Sequence, residues 1–341
     1  MTGSVPEVEP HAVLVPAALT IGVLMGGPSR ERPVSLQSGQ AVADALARLG
    51  HDVRPADVRP GDVTAELVGD LDVVFLALHG KWGEDGGVQE ELEALGAAYT
   101  GSGPEASRLA MDKVATKVRF SEEGVPTPAF RLLDCGDAAP FVEAMDTIGP
   151  QLVVKPVAGG SSLDVYMVDS LAGLRRAVER VAGASGPALV ERRIVGREFA
   201  VGILGESVLP TIEVRTPGGW YDYHFKYESD RTDYVFAHGL ASDVEDRLVR
   251  AALAAHRVLG CRDLSRVDLI VTPDGEPEVL EVNTIPGFTS HSLVPKAAAH
   301  AGIPFGRLCE RIVALARDRS GPRPGTKGTT QAGGGEPAPD A

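Results

Sequence analysis

The first third of the chain alternates between buried strands and amphipathic helices, and this alternation constrains the fold more than any other feature. Thr20–Met25 is a continuous apolar run, and the helical pattern after it begins with Ser35 as its predicted N-cap and ends at Gly50. A second apolar run covers 72–78. Strands that alternate with helices predict an α/β fold with a parallel sheet covered on both faces. The same periodicity predicts helices at 88–95 and 111–122.

Composition and punctuation by glycine and proline divide the 341 residues into five segments. Residues 1–18 show no periodicity and 320–341 is a Gly/Pro/Thr tract with few apolar residues, so both ends are predicted to be disordered. Between them we predict an N-terminal domain at 19–123, a central domain with a glycine-rich flap at 124–204, and a C-terminal domain at 205–319. The C-terminal domain is predicted to include a strand at 207–214 and a helix whose capping box joins Ser242 to Glu245.

Charge and cysteine usage exclude several classes of protein. The net charge of -14 argues against a broad electrostatic grip on nucleic acid or on an anionic membrane, so an anionic substrate would need a few placed cations. The uncharged stretch 12–29 follows acidic rather than basic residues and is interrupted by Pro16, which favours a buried strand over a signal peptide or membrane span. Cys135, Cys261 and Cys309 are widely spaced, which favours a reducing cytoplasm over a disulfide scaffold.

A predicted hairpin near the C-terminus brings together the side chains with the clearest chemistry. Its strands flank Asp274-Gly275, a strong turn signal, and a loop of two or four residues would place Asp268 opposite Glu281. Arg266 would then lie opposite Asn283, and all four side chains would share one face because strands alternate with period two. The opposite, apolar face would carry Val267, Leu269, Leu280 and Val282.

Two interpretations of this polar face remain open from the residues alone. Facing carboxylates repel unless a cation lies between them, and with an amide oxygen they form an all-oxygen site suited to Mg²⁺. Alternatively, one carboxylate pairs with Arg266 on a solvated face. The loop Lys155–Ser162 offers backbone N–H groups, hydroxyls and an ammonium, which suits a phosphate cradle, although such a loop is also compatible with a simple turn.

Motifs in a fixed order give the chain a family resemblance. From Thr20 to Ala316 it resembles the D-alanyl-D-alanine ligases of the ATP-grasp superfamily. That resemblance implies a three-domain ATP-grasp fold, with an N-terminal parallel-sheet domain and two α+β subdomains. The matching motifs are Gly26–Gly39, Leu78–Gly80 with Gly83–Gly86, Tyr99–Gly103, Met111–Lys113, Tyr221–Tyr223 with Lys226-Tyr227, and Glu281–Pro295.

The activity implied by the resemblance is ATP-dependent joining of two D-alanines through a D-alanyl phosphate, with release of ADP and phosphate. It would supply the dipeptide of peptidoglycan precursors in the cytoplasm. The resemblance also implies two Mg²⁺ or Mn²⁺ ions and a homodimer. From the net charge we expect neither nucleic acid nor a membrane among the partners.

Each site residue is carried over by its motif and is implied by the resemblance. The ATP-binding residues would be Lys113, Lys155, Ser162, Glu191 and Glu198, and the metal ligands Asp268, Glu281 and Asn283. The catalytic residues would be Glu31, which holds the first D-alanine's ammonium, Ser161 and Tyr227, which are linked to it, and Arg266 with the Gly287 N–H, which form an oxyanion hole. The other substrate residues would be Lys226 and Ser292, which take the acceptor carboxylate, and His79, for which a buried structural role is an alternative.

The sequence departs from the family pattern at three places near the flap and the substrate loop. Asp164 stands where glycine is usual, and we expect its carboxylate to point away from the phosphates or to be compensated. His224-Phe225 and Ala237-His238 also differ from the pattern. These changes leave the ATP chemistry intact and the identity of the second substrate open, so the main alternative is a paralogue that uses another acceptor or makes a specialised dipeptide. A degenerate nucleotide-binding module is a further alternative, against which the retained metal, lysine and oxyanion positions argue.

Overall fold

The computed structural model describes residues 18–135, 139–159, 164–216, 232–289 and 291–320. The described strands form three sheets, which follow one another along the chain. The predicted residues Ser161, Ser162, Lys226 and Tyr227 lie outside the described ranges, as do His224-Phe225 and almost all of the predicted terminal segments. Among the described residues, no helix combines the length and the apolar character needed to span a membrane.

The N-terminal sheet is parallel, as predicted, and has the order β2-β1-β3. Its strands are β1 (Thr20–Gly26), β2 (Asp52–Val58) and β3 (Val73–Leu76). The sequence analysis missed β2. This edge strand buries only its last residue and contains Pro55, which a strand tolerates only at an edge or a bulge. A strand with so little apolar surface lacks the alternation from which strands are predicted.

The first helix, α1 (Arg32–Arg48), begins before the predicted cap. Pro33 occupies its first turn, and Glu31 is the N-cap residue. Ser35 is therefore not a cap: its hydroxyl accepts a hydrogen bond from the Gly26 N–H at 2.8 Å and donates one to the Ala77 carbonyl at 2.6 Å. The side chain thus ties the helix to the ends of two neighbouring strands.

Four shorter helices complete the N-terminal region. One continuous helix was predicted at 111–122, but the chain forms two, separated at Asp112. The Asp112 carboxylate caps the second of them by accepting hydrogen bonds from the N–H groups of Val114 and Ala115. These helices are α2 (Ala65–Val68), α3 (Gly87–Ala94), α4 (Pro104–Met111) and α5 (Lys113–Glu123).

The central sheet is antiparallel and has the order β4-β7-β5-β6. Two helices pack against it and enclose a core cluster that includes Leu152, Leu174 and Val190. The elements are β4 (Phe130–Leu133), α6 (Ala139–Ile148), β5 (Leu152–Pro156), β6 (Tyr166–Val168), α7 (Leu171–Ser185) and β7 (Ala188–Arg192).

The C-terminal sheet has the order β11-β10-β8-β12-β13, with β9 paired to β8. Its strand β8 lies within the predicted central domain but pairs along its whole length with β12. By its pairing, β8 is therefore part of the C-terminal sheet. The strands are β8 (Arg197–Leu204), β9 (Ser207–Val208), β10 (Ile212–Arg215), β11 (Asp233–Val235), β12 (Leu264–Val271) and β13 (Pro277–Asn283).

Two predicted elements of this region differ in the structure. The strand predicted at 207–214 is divided into β9 and β10, with Pro210 between them. The capping box at Ser242 is wrong, because Ala241 is the N-cap residue and no side chain caps the helix. Glu245 instead accepts a hydrogen bond from the Thr211 hydroxyl at 3.0 Å. The helices here are α8 (Ser242–Val258), α9 (Leu293–His300) and α10 (Phe305–Ser320).

The C-terminal helices close the fold by packing on the N-terminal sheet. One core cluster contains Ile21 of β1, Phe75 of β3 and Leu46 of α1 together with Leu308 and Ile312 of α10. The first and last segments of the described chain therefore share a single hydrophobic core. This core also contains residues of the C-terminal sheet, so it holds the N-terminal and C-terminal sheets next to each other.

Candidate active site

A cavity of about 1270 Å³ is lined by residues from the N-terminal, central and C-terminal regions. Its walls combine apolar side chains such as Val153, Met167 and Ile270 with many charged ones. Cations gather here although the chain as a whole carries a net charge of -14, as expected for a site that holds an anionic substrate. They include Lys81, Lys113, Lys155, Arg193, Arg197 and Arg215.

Seven of the predicted site residues line this cavity, although they come from distant parts of the sequence. The remaining described ones lie in its surroundings: Arg266 beside Asp268, His79 next to the lining residue Gly80, and the others on or after β13. The seven lining residues are Glu31, Lys113, Lys155, Glu191, Glu198, Asp268 and Glu281.

The hairpin of β12 and β13 has the predicted pairing of Asp268 with Glu281 and of Arg266 with Asn283. The loop length, however, is odd. The Thr272 N–H bonds to the Glu276 carbonyl and the Gly275 N–H to the Thr272 carbonyl, so three residues form the turn, with Gly275 at φ +82.

A β-bulge between the turn and the site restores the register. The register shifts between Asp268 and Leu269, so Leu269 pairs with Val279 and Leu280 is the extra residue. Leu280 consequently lines the cavity beside Glu281 instead of joining the apolar face, where Val279 takes its place in the core. The prediction for Leu280 is therefore wrong, and that for Asp268 and Glu281 is correct only because the odd loop and the bulge compensate.

Both hairpin carboxylates have cationic partners. Arg266 binds Asp268 through two hydrogen bonds, Nε to Oδ1 at 2.7 Å and an Nη to Oδ2 at 2.8 Å. Lys113 Nζ lies 3.5 Å from Glu281 Oε2 and donates a hydrogen bond to the Gly159 carbonyl. These contacts neutralise two carboxylates that would otherwise repel each other, and they leave both carboxylates on the cavity wall.

The donor set of the hairpin fits a hard divalent cation. Asp268 and Glu281 supply carboxylate oxygens to the cavity, and Asn283 supplies an amide oxygen that accepts a hydrogen bond from the Ile285 N–H at 3.0 Å. A carbonyl oxygen retains a second lone pair after one such bond. The part of the chain that the structure describes contains no cluster of three or more His, Cys, Asp or Glu that could hold a metal ion.

Glu31 reaches the cavity because the chain approaches it closely. A Cβ on Gly80, which has φ +69, would lie 2.7 Å from Glu31 Oε2 and 2.9 Å from Ser29. Ser29 donates a hydrogen bond to the His79 carbonyl at 2.6 Å and accepts one from the Glu31 N–H at 3.1 Å. Only a glycine at position 80 allows this contact between the two loops.

His79 is buried, with 6% of its surface exposed. Its Nε2 lies 3.4 Å from the Ser38 hydroxyl oxygen, and Ser38 also accepts a hydrogen bond from the Phe288 N–H at 3.2 Å. The histidine therefore supports the backbone next to Gly287, whereas its neighbour Gly80 lines the cavity. Ser38 was missed by the sequence analysis, and its only signal is a polar residue on the buried face of α1.

Gly287 and Ser292 belong to one tight loop. The Thr289 N–H donates to the Ser292 hydroxyl oxygen at 2.9 Å, and a Cβ on Gly287 would lie 2.8 Å from that same oxygen. Neither residue is among those that line the cavity. The structure places them together at the end of the segment that follows β13.

Glu191 lies between two lysines at the cavity wall. Lys155 Nζ is 2.6 Å from Glu191 Oε1, and Lys117 Nζ is 3.0 Å from Oε2. The second contact is an ion pair without hydrogen-bond geometry, so Oε2 accepts no hydrogen bond from the described residues. Burial pushes the pKa of Glu191 upward, but the charges of Lys155 and Lys117 outweigh it and hold the pKa below the ordinary value.

Lys117 was missed by the sequence analysis. It is fully buried and shares the inner face of α5 with Thr116 and Phe120. A lysine at the position of an amphipathic helix that faces the core is a recognisable signal, because lysine is almost never buried without a partner.

A second buried carboxylate, Glu213, was also missed. Arg197 binds it through two hydrogen bonds of 2.8 Å, and Arg215 adds one of 2.6 Å. Burial favours a higher pKa for Glu213, but the hydrogen bonds from the two arginines outweigh it and lower its pKa to about 2. All three residues line the cavity, where this group orients two guanidinium groups.

Asp164 adopts a left-handed backbone conformation, with φ +57. Glycine is usual at such positions, and aspartate tolerates them better than most residues. Its side chain is exposed on the cavity lining, and the Tyr166 hydroxyl donates to it at 3.4 Å. The carboxylate is thus at the cavity rather than remote from it, although it remains open to solvent.

Comparison with known proteins places the chain among relatives of similar length. The family model described as "D-ala D-ala ligase C-terminus" matches residues 120–314, and the one described as "D-ala D-ala ligase N-terminus" matches 59–102. A D-alanine--D-alanine ligase of Desulforudis audaxviator is 45% identical over 303 residues, covering 88% of this chain and 99% of the relative. One of Marinobacter nauticus is 46% identical over 306 residues, covering 89% and 93%.

A solved structure agrees with this result. The D-alanine--D-alanine ligase from Bacillus anthracis complexed with ATP matches with a TM-score of 0.77 and 34% sequence identity, over 89% of this chain and 100% of that one. On these grounds the chain belongs to the D-alanine–D-alanine ligase family, whose fold is ATP-grasp.

Proposed function

We propose that this protein is an ATP-dependent D-alanine–D-alanine ligase that supplies the dipeptide for peptidoglycan precursors. The observation that carries the proposal is one cavity in which Glu31, Lys113, Lys155, Asp268 and Glu281 meet from separate regions of the chain. An ammonium-binding carboxylate, phosphate-binding lysines and a carboxylate pair are what the joining of two amino acids through an acyl phosphate requires. The family membership gives the same activity.

The proposed reaction has two steps. The carboxylate of the first D-alanine attacks the γ-phosphorus of ATP, which forms D-alanyl phosphate and releases ADP. The amine of the second D-alanine then attacks the acyl carbon, and phosphate leaves as the peptide bond forms. Most of the catalytic effect comes from positioning and from neutralising the developing charge, which the clustered cations can supply.

The residues that bind the ammonium group and ATP have the following proposed tasks in this reaction. Glu31 binds the ammonium group of the first D-alanine, and Gly80 allows it to lie close to the substrate loop. Lys113 and Lys155 bind ATP phosphates. Glu191, which lines the cavity, is proposed to contact the adenosine of ATP. Glu198 contacts the adenosine from β8.

Arg266 and the Gly287 N–H are proposed to stabilise the oxyanion of the tetrahedral intermediate. Arg266 is held in place by its two hydrogen bonds to Asp268. The backbone beside Gly287 is fixed by the hydrogen bond from the Phe288 N–H to Ser38. Ser292 binds the acceptor carboxylate together with Lys226, which lies outside the described residues, as do the proposed catalytic Ser161 and Tyr227 and the phosphate-binding Ser162.

We propose that Asp268, Glu281 and Asn283 hold two Mg²⁺ ions, or Mn²⁺ in their place. When bound, the metal neutralises phosphate charge and orients the transferred phosphoryl group. The all-oxygen donor set supports the assignment. Arg266 and Lys113 are the residues that balance the two carboxylates in the absence of metal.

Phosphate release from ATP with a panel of D-amino and D-hydroxy acids tests the proposal, with product masses recorded. We expect release with D-alanine alone and a product with the mass of D-alanyl-D-alanine. A mixed product formed only with a second acceptor would identify a paralogue of different specificity. No release with any acceptor would favour a nucleotide-binding module without ligase activity.

Three further properties belong to the proposal. We propose a homodimer, a cytoplasmic location, and domains that divide at about residue 123 and, from the pairing of β8, just before Arg197. Sedimentation equilibrium tests the dimer. Limited proteolysis followed by mass determination tests the domain limits, and fragments ending near 196 rather than 204 would support the sheet-based boundary.

A further inference from the structure

Lys117 is a fully buried lysine that none of the proposed catalytic steps uses. None of its surface is exposed to solvent, and its ammonium group has polar partners inside the protein. It donates a hydrogen bond to the Thr127 hydroxyl at 2.7 Å and lies 3.0 Å from Glu191 Oε2. Thr127 in turn donates to the Val279 carbonyl at 2.8 Å. The ammonium is therefore fixed between α5, β7 and the strand that carries Glu281.

A lysine at this position is not needed for packing. Burying an ammonium group is costly, and an apolar side chain of the same length would fill this space without that cost. Burial accordingly lowers the pKa of Lys117, while the negative charge of Glu191 works in the opposite direction. What the lysine adds is a positive charge beside the inner carboxylate oxygen of Glu191, Oε2.

That charge changes what Glu191 does to its other partner. Glu191 Oε1 holds Lys155 Nζ at 2.6 Å, and both of these residues line the cavity, whereas Lys117 does not. With two lysines on one carboxylate, the group keeps one net positive charge. With Lys155 alone, the carboxylate would cancel the charge that faces the cavity, and it could rotate because nothing would hold its inner oxygen.

We propose that Lys117 is a positioning residue for nucleotide: it holds Glu191 from beneath, so that Glu191 fixes the Lys155 ammonium at the cavity wall with a net positive charge left for ATP. This inference rests on the proposed function only in taking the cavity as the ATP site. It makes no assumption about which amino acid is joined.

The test is the affinity for magnesium–ATP, measured by calorimetry on the whole protein without any acceptor. Lys117→Met should raise the dissociation constant about tenfold, because the charge and the fixed carboxylate are lost together. In steady-state assays the KM for ATP should rise by a similar factor while kcat changes less, since Lys117 contacts neither substrate. A second variant, Lys117→Gln, keeps a hydrogen-bond donor and removes only the charge, and it should weaken ATP in the same direction.

Phe120→Leu is the matched control. Phe120 is fully buried on the same face of α5 and makes no contact with Glu191 in the described interactions. It should lower thermal stability and leave the affinity for ATP unchanged. If Lys117 acts through Glu191, then adding Lys117→Met to Glu191→Gln should change the ATP affinity by less than about twofold.

The outcomes separate this inference from the proposed function. Wild-type ATP affinity in a folded Lys117→Met or Lys117→Gln protein would overturn the inference, as would an equal effect of Lys117→Met in both Glu191 backgrounds. If wild type binds ATP but joins no D-alanine, the proposed function fails while the inference is still decided by the binding data. If wild type binds no ATP, both fail.

Discussion

Two clusters pair carboxylates with cations at the same cavity, and they differ in how far solvent reaches them. In the buried cluster, the Lys117 side chain is 0% exposed and that of Glu191 5%. In the hairpin cluster, the Lys113 side chain is 12% exposed and that of Glu281 29%. The buried ion pairs are 2.6 and 3.0 Å long, whereas Lys113 lies 3.5 Å from Glu281. Solvent therefore reaches the Lys113–Glu281 pair more readily than the Lys117–Glu191 pair.

This difference separates two uses of the same chemical groups. In the buried cluster Lys117 and Glu191 have lost almost all contact with water and depend on their protein partners, so removing one of these charges leaves the other uncompensated. In the hairpin cluster a carboxylate that loses its lysine can still be solvated or bind another cation from the cavity. The buried cluster should therefore matter for stability and positioning, and the hairpin cluster for the reaction itself.

The largest expected effect is on turnover in the hairpin cluster. Glu281→Gln removes a negative charge from the proposed metal site, so phosphate release at saturating ATP and D-alanine should fall by about two orders of magnitude or more. The free energy of unfolding without nucleotide should change by less than about 1 kcal/mol, since the side chain lies at the cavity surface. Turnover close to that of wild type at ordinary magnesium concentrations would contradict the metal assignment.

The same substitution in the buried cluster should have its main effect on stability. Glu191→Gln leaves Lys117 and Lys155 facing each other without a counter-ion, which should lower the free energy of unfolding by about 3 kcal/mol. Urea denaturation of the protein without ATP measures this change. A cost no larger than that of Glu281→Gln would mean that solvent or rearrangement compensates the lysines, and the contrast between the clusters would disappear.

The pH dependence of stability should follow the buried cluster. The pKa of Glu191 is held below its ordinary value of 4.5 in the folded protein, so the unfolded chain binds more protons once the pH approaches that value. The contribution of ionised Glu191 to the free energy of unfolding is complete above the pKa of Glu191 in the unfolded chain. It is lost as the pH falls through the lower pKa of Glu191 in the folded protein. The stability difference between wild type and Glu191→Gln should therefore narrow below about pH 4.5, whereas Phe120→Leu should show a constant difference.

The smallest effect is expected at Asp164, an exposed residue of the cavity lining. Asp164→Asn removes the charge of an exposed carboxylate and keeps a residue that tolerates φ +57, so ATP affinity at low ionic strength should rise by about threefold or less. Asp164→Gly serves as the companion variant, because it removes the charge and also relieves the backbone. A gain of two orders of magnitude would show that Asp164 faces the phosphates and restrains nucleotide binding.

The sequence alone determined the family, the parallel N-terminal sheet and the existence of the hairpin that carries Asp268 and Glu281. These features depend on patterns that are local in sequence: continuous apolar runs, helical periodicity and an Asp-Gly turn between two strands. The errors are local too. The edge strand β2 carries too few apolar residues to be recognised, and the three-residue turn with its bulge at Leu280 cannot be told from an even loop by strand alternation.

Only the tertiary structure decided which partners neutralise the charged residues. Lys117 of α5 and Glu191 of β7 meet although they are far apart in sequence, and Ser38 holds the Phe288 N–H from 250 positions away. The position of Lys117 on the inner face of α5 indicates that it is buried, but nothing in the sequence near it shows that its partner is Glu191. The free energy of a buried charge depends on the groups within a few ångströms of it, and those groups are brought together only by the packing of the sheets.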